Sequence, residues 1–149
     1  MKESKEYFMK IALEEAEKAR KKGEVPVGAV LVQEDNIISR GHNQPVNQND
    51  PTSHAEINAI RKGCQKKKNY RLPGCDLYVT LEPCAMCLGA VVLARIRRLI
   101  FGAYDPKSGA VESVMKFPFE RMNHQAEIQG GVMVKTCSKI VKEFFKDKR

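Results

Sequence analysis

The chain has 149 residues, 42% hydrophobic and 30% charged, with a net charge of +8 and a sequence pI near 9.3. That is the size of one domain able to bury a continuous core, so a single domain over 1–149 is expected. No apolar run approaches the ~20 residues needed to span a bilayer, and the mixed charges of Met1-Lys2-Glu3-Ser4-Lys5-Glu6 are unlike a signal peptide; no membrane partner and a cytoplasmic location are expected.

Residues 6–22 place Phe8, Ile11, Ala12, Ala16 and Ala19 at helical spacing, and Gly23 closes the pattern. The β-branched run 25–32 reads as a strand, and Glu34-Asp35-Asn36 turns into a second strand at 37–39, making a hairpin. Residues 41–51 form a polar loop whose length suggests function rather than connection. A second helix begins at Thr52 or Ser53, either of which can cap it, and runs toward Gly63. Residues 77–80 read as a short buried strand, and Pro83 suits the start of a third helix that continues through Leu93. A strand at 99–102 precedes a loop through Asp105-Pro106-Lys107-Ser108-Gly109. The last helix carries Val134, Cys137, Ile140, Val141, Phe144 and Phe145 on one stripe. Because Phe144 and Phe145 are adjacent, one belongs to the core and the other is free to pack a partner or stack on a base. Strands alternating with helices predict a three-layer α/β domain around a mixed sheet.

Charge is clustered. Residues 61–71 hold Arg61, Lys62, Lys66, Lys67, Lys68 and Arg71 with no acid, and residues 135–149 hold six basic groups against Glu143 and Asp147. Such clusters suit a polyanionic partner, although a solvated basic surface would read the same way.

The chemistry lies in two short motifs, His54-Ala55-Glu56 and Pro83-Cys84-Ala85-Met86-Cys87. The three-residue step from Cys84 to Cys87 puts both thiols on one face of a helical first turn, where the helix N-terminus favours thiolates. With the imidazole of His54 they make three ligands, leaving the fourth position of a tetrahedral zinc for water. Zinc lowers the pKa of such a water to roughly 7, and Glu56 is a carboxylate placed to move its protons. Attack on a ring carbon bearing an amino group would turn adenine to hypoxanthine or cytosine to uracil. The H-x-E…P-C-x-x-C pattern is the known signature of zinc-dependent nucleobase deaminases, the family named below among them.

Other readings are weaker. A thioredoxin-like Cys-x-x-Cys leaves His54-Ala55-Glu56 unexplained. A structural zinc site needs a fourth protein ligand, for which Cys64, Cys75 and His42 are the candidates. Five cysteines, an odd count, argue against a disulfide framework. Cys137 is expected in the core, and His42 and His124 in hydrogen-bonding or surface roles.

Glu24-Val25-Pro26-Val27-Gly28-Ala29-Val30-Leu31-Val32, Asp50-Pro51-Thr52-Ser53-His54-Ala55-Glu56, residues 77–87, Phe101-Gly102-Ala103, residues 105–110 and Met122-Asn123-His124 together resemble the bacterial tRNA-specific adenosine deaminases of the cytidine deaminase-like superfamily. The resemblance covers nearly the whole chain and is more specific than the zinc signature. It implies a three-layer α/β/α cytidine deaminase-like fold with a central mixed sheet of about five strands. It also implies one zinc ion per subunit and a homodimer. The activity implied is hydrolytic deamination of adenosine to inosine at wobble position 34 of a tRNA anticodon stem-loop, usually of an arginine tRNA. The resemblance makes His54, Cys84 and Cys87 the metal ligands and Glu56 the catalytic carboxylate. It has Asn43, Val27 and the main chain at Ala55 meet the extruded base, and Asp105, Lys107, Ser108, Phe145 and Arg149 meet the RNA. Extruding a base is easier from an anticodon loop, where it is already unpaired, than from a duplex. Tyr104 departs from the arginine of some members, Glu112 stands where a small residue is expected, and residues 116–121 match poorly. Two alternatives stay open: a deaminase of a free base or nucleotide of the guanine or cytosine type, and a non-catalytic RNA-binding module.

Overall fold

The computed structural model describes residues 4–148, so the RNA contact expected at Arg149 lies outside the described residues. Helix α1 (Lys5–Lys21) starts at Ser4, whose hydroxyl accepts the Tyr7 N–H, and ends with Lys18, Arg20 and Lys21 against the negative end of its dipole. The hairpin β1 (Gly28–Gln33) and β2 (Asn36–His42) follows, then α2 (Pro45–Gln48), α3 (Ala55–Lys67), β3 (Cys75–Leu81), α4 (Ala85–Ala94), β4 (Arg98–Ala103), β5 (Glu127–Gln129) and α5 (Val134–Asp147).

The strands lie in the order β2-β1-β3-β4-β5. β1 is antiparallel to β2 and β3, while β3, β4 and β5 run parallel. Side chains alternate between faces, and that alternation builds the layers. Leu31, Leu77, Val79, Leu99 and Phe101 face Ala59, Ile60, Leu88 and Val91 of α3 and α4. Val30, Val32, Tyr78 and Ile100 face Phe8, Met9 and Ala12 of α1 and Cys137 of α5. Each large side chain so buried contributes about 1.5–3 kcal/mol relative to exposure. The result is the five-stranded mixed sheet between helical layers that the sequence resemblance implied, a cytidine deaminase-like α/β fold.

Several boundaries differ from the sequence reading. Neither Thr52 nor Ser53 caps α3; His54 holds the cap position. Both hydroxyls are engaged elsewhere, Thr52 Oγ1 on Asp50 and Ser53 Oγ on Gln48, each at 2.7 Å. Gly63 does not end α3, because there the helix packs against Leu31; the chain turns at Lys68 in the left-handed region. The first strand begins at Gly28 rather than 25, and the polar loop contains the short helix α2. β5 escaped the pattern altogether, since three residues cannot display a period.

Candidate active site

β2, β3 and β4 all run toward one edge of the sheet, where β1 begins: Gly28 pairs with His42, and Leu81 with Ala103. Helices α3 and α4 start at this same edge. His54 and Cys84 occupy their N-cap positions with extended backbones (φ −79°, ψ 156° and φ −80°, ψ 173°), and neither side chain caps its own helix. Both are therefore free to turn toward each other. His54 Nδ1 lies 3.6 Å from Cys84 Sγ and 3.5 Å from Cys87 Sγ. The three ligand atoms sit within 4.8 Å of one another, and among the described residues no fourth His, Cys, Asp or Glu joins them. This donor set of one imidazole and two thiols suits zinc, and three ligands suit an open catalytic site better than a closed structural one.

The protonation chemistry agrees with cation binding. Cys84 is pulled down to about 4, chiefly by its hydrogen bond with Cys87 and also by His54, against the effect of burial. Cys87 is pushed up by the neighbouring Cys84 sulfur and by burial. Zinc binds sulfur as thiolate, so loading this site releases protons. His54 is raised, first by its hydrogen bond with Cys84. Glu56, 4% exposed in the first turn of α3, is pushed up to about 7 by burial. A carboxyl group in that range can both accept and donate a proton near neutrality.

His54, Glu56 and Cys84 border a cavity of about 760 Å³. Its lining includes the buried or half-buried Val27, Asn43, His54, Glu56, Cys84 and Asp105 and the exposed Lys107, Ser108 and Phe145. Ala55 is buried behind it and donates its N–H to Asn43 Oδ1 at 3.1 Å, while the Asn43 N–H reaches the Val27 carbonyl at 3.1 Å. The three residues expected to meet the base are therefore one connected unit. In the loop after β4 Asp105 accepts from the Lys107 N–H at 3.0 Å and the Ser108 hydroxyl at 3.1 Å, so both its oxygens shape that turn. Phe144 is the buried ring of its pair and Phe145 the exposed one, 37% accessible.

Two buried carboxylates that the spacing did not single out hold the cavity's loops. Glu82 accepts backbone N–H groups from Asp105, Val111, Glu112 and Ser113 at 2.8–3.1 Å, and the Ser113 hydroxyl as well. Burial alone would raise this carboxyl, but the bonds from Glu112, Ser113 and Asp105 outweigh it and hold the group below the usual range. Glu24 does the same for α2, accepting from the Val46 and Asn47 N–H groups and from Asn47 Nδ2. An acid just before a strand and another just after one were the only available signals, and nothing in a local pattern marks such an acid as buried.

The remaining candidates fall away from the centre. Cys137 is in the core, and Cys64 and Cys75 are free thiols outside the ligand group. His42 is buried against Glu15 at 3.1 Å, and His124 Nε2 bonds the Ile96 carbonyl at 2.6 Å. The basic run 61–71 occupies the end of α3 remote from His54 and lines no part of the cavity. At 1.5 Å per residue its far end is about 20 Å from the ligands. Lys142 and Lys146 of α5 do line the cavity.

The family model of the MafB19-like deaminases matches residues 3–149. The tRNA-specific adenosine deaminase of Bacillus subtilis is 47% identical over 145 residues, covering 97% of this chain and 90% of that protein. That of Haemophilus influenzae is 50% identical over 146 residues, covering 97% and 84%. A structure solved in studies of A-to-I editing by tRNA:A34 deaminases at the wobble position of transfer RNA superimposes with a TM-score of 0.86 at 48% identity, covering 90% of this chain and 98% of that one. A guanine deaminase of Bacillus subtilis is more distant, with a TM-score of 0.66 at 34% identity, covering 77% and 84%.

Proposed function

The chain belongs to the MafB19-like deaminases and, within them, to the tRNA-specific adenosine deaminases, and from that premise we propose that it converts adenosine to inosine at wobble position 34 of a tRNA anticodon. The observation that carries the reading is the convergence of His54, Cys84 and Cys87, with His54, Cys84 and the buried Glu56 lining one cavity.

In this reading His54, Cys84 and Cys87 hold one zinc ion per subunit, which when bound supplies a water of lowered pKa as the nucleophile. Glu56 would take one proton from the attacking water and pass it to the purine ring nitrogen beside the attacked carbon, then take the remaining hydroxyl proton as the carbonyl forms and give it to the leaving amine. One water enters and one ammonia departs, leaving a carbonyl in place of the amino group. Asn43, its oxygen held by the Ala55 N–H, offers its amide hydrogens to acceptor nitrogens of the base. Val27 packs the same base, and Asp105, Lys107, Ser108, Phe145 and Arg149 meet the RNA around it, Asp105 also holding the turn of Lys107 and Ser108.

A homodimer belongs to the proposal. Helix α4 reads Ala-Met-Cys-Leu-Gly-Ala-Val-Val-Leu-Ala, and Met86 and Leu93, a heptad apart on one face, are 38% and 73% exposed. A helix apolar all round is normally covered on every side, and a second copy of the chain would cover this one. An arginine tRNA as the substrate, a single domain over 1–149 and a cytoplasmic site of action complete the reading; among the described residues no helix is long and apolar enough to cross a membrane.

The test is inosine formation in a minimal anticodon stem-loop with adenosine at position 34, run beside free guanine and cytosine. Inosine in the stem-loop alone is expected. Turnover of a free base alone would replace this reading with that of a small-molecule deaminase, the second reading, which the likeness to guanine deaminase favours.

A further inference from the structure

Two exposed aromatic rings line the cavity, Phe145 on α5 and Tyr104 just beyond β4. They differ in availability. Lys107 Nζ lies 4.8 Å from the Phe145 ring centroid, so one approach to that ring is already occupied. Tyr104 is 42% exposed and is held from behind. Its ring meets the buried Phe101 edge-on, with centroids 5.1 Å apart and planes at 85°. Gly130 backs both rings so closely that a Cβ there would fall 2.4 Å from Phe101 and 2.8 Å from the Tyr104 hydroxyl. The backbone on either side is pinned as well. The Ala103 carbonyl accepts the Glu82 N–H at 2.8 Å, and the Asp105 N–H donates to Glu82 Oε1 at 3.0 Å.

We propose that Tyr104 is a stacking platform for the base next to the target adenosine, and so sets which loops the enzyme accepts. The inference rests on the RNA reading above. With the target base against the buried Glu56, its neighbours in the strand would pass the exposed residues that line the same cavity, Tyr104 among them. Unstacked loop bases settle on aromatic faces, and a ring already immobilised by Phe101 and Gly130 loses little freedom when one does so. Every base has a π-face, so the contact tolerates sequence and rewards ring area rather than the hydroxyl. Among the described residues no hydrogen bond joins Tyr104 to His54, Glu56, Cys84 or Cys87, so its effect is assigned to binding.

The experiment compares wild type, Tyr104→Phe, Tyr104→Ala and Tyr104→Leu on an anticodon stem-loop carrying 2-aminopurine immediately 5′ or immediately 3′ of the target. Tyr104→Ala should raise KM by roughly 5- to 100-fold, as loss of one base–aromatic stack implies, with kcat at saturation within about twofold. Tyr104→Phe should match wild type. Wild type should change 2-aminopurine fluorescence at one of the two positions, and the Ala variant at neither. Tyr104→Leu keeps an apolar contact on Phe101 without a π-face, so it should melt like wild type and still lose KM and the fluorescence change. A Leu variant with wild-type KM, or identical fluorescence in all four proteins, overturns the proposal. A wild type that makes no inosine fails the tRNA reading instead, whereas normal wild-type turnover with an unaffected Ala variant fails only the platform.

Discussion

Glu82→Gln is the most revealing single substitution outside the ligand set. The carboxylate is 2% exposed and receives four backbone N–H groups and one hydroxyl from residues 105–113, three of the N–H bonds converging on Oε2. A glutamine can offer its oxygen at only one of the two positions. With the oxygen left at Oε2, its amide NH2 faces the Asp105 N–H, and donor meets donor. One buried N–H left without a partner costs about 1–3 kcal/mol, and each of the three remaining bonds loses charge assistance worth roughly 0.5–1 kcal/mol. The sum is about 2.5–6 kcal/mol, unless the loop opens locally and caps the loss. For a domain of this size the melting temperature should fall by about 5–24 °C. Because the same loop lines the cavity, KM for a stem-loop should rise as well, while bound zinc should stay near stoichiometric. Thermal melting, metal analysis and steady-state kinetics read these separately. A variant that melts within 2 °C of wild type, with unchanged KM, would refute the view that Glu82 holds the loop.

Glu56→Gln should retain zinc and stem-loop affinity while turnover falls at least 10³-fold; wild-type-like turnover would remove Glu56 from its role. Chelation should lower both activity and melting temperature, and added zinc should restore them, since ligands that meet only in the folded chain tie metal binding to stability. Asp76 is buried, and although burial would raise its carboxyl, hydrogen bonds from Arg97 and Arg98 hold it below the usual range. Its contribution is therefore complete above the unfolded pKa and disappears as pH falls through the folded value. Asp76→Asn should lose on the order of 2 kcal/mol at neutral pH and show a flatter decline below pH 4, checked by urea titration across pH. Stem-loop affinity should fall steeply with salt, and Lys142→Ala with Lys146→Ala should reduce that slope while Lys66→Ala with Lys67→Ala should not; equal effects would restore the far end of α3 to the footprint.

Much of this protein is legible in one dimension because the signals are local. The period of Phe8, Ile11, Ala12, Ala16 and Ala19 gives α1 directly, and the β-branched runs give β1 and β3. The spacing of Cys84 and Cys87 gives half a metal site, because three residues along a helix fix a geometry. His54-Ala55-Glu56 supplies the rest of the chemistry in the same way, as ligand and proton carrier two residues apart. The fold class followed from alternation of elements, and the family from long motifs rather than from composition.

The tertiary structure decided what depends on distance between remote segments. His54 and Cys84 are thirty residues apart, and only the parallel approach of β2, β3 and β4 brings their helix starts to one edge. Thr52 and Ser53 had the right chemistry to cap α3 but lost the position to competing bonds with Asp50 and Gln48. Nothing local marks Glu24 and Glu82 as buried; the backbone N–H groups aimed at them decide it. The two basic clusters look alike as strings, yet one lines the cavity and the other lies at the opposite end of α3. A sequence states which groups can react, since reactivity belongs to residues and short spacings. Which groups meet, and which charges face the substrate, is set by how the sheet gathers its ends.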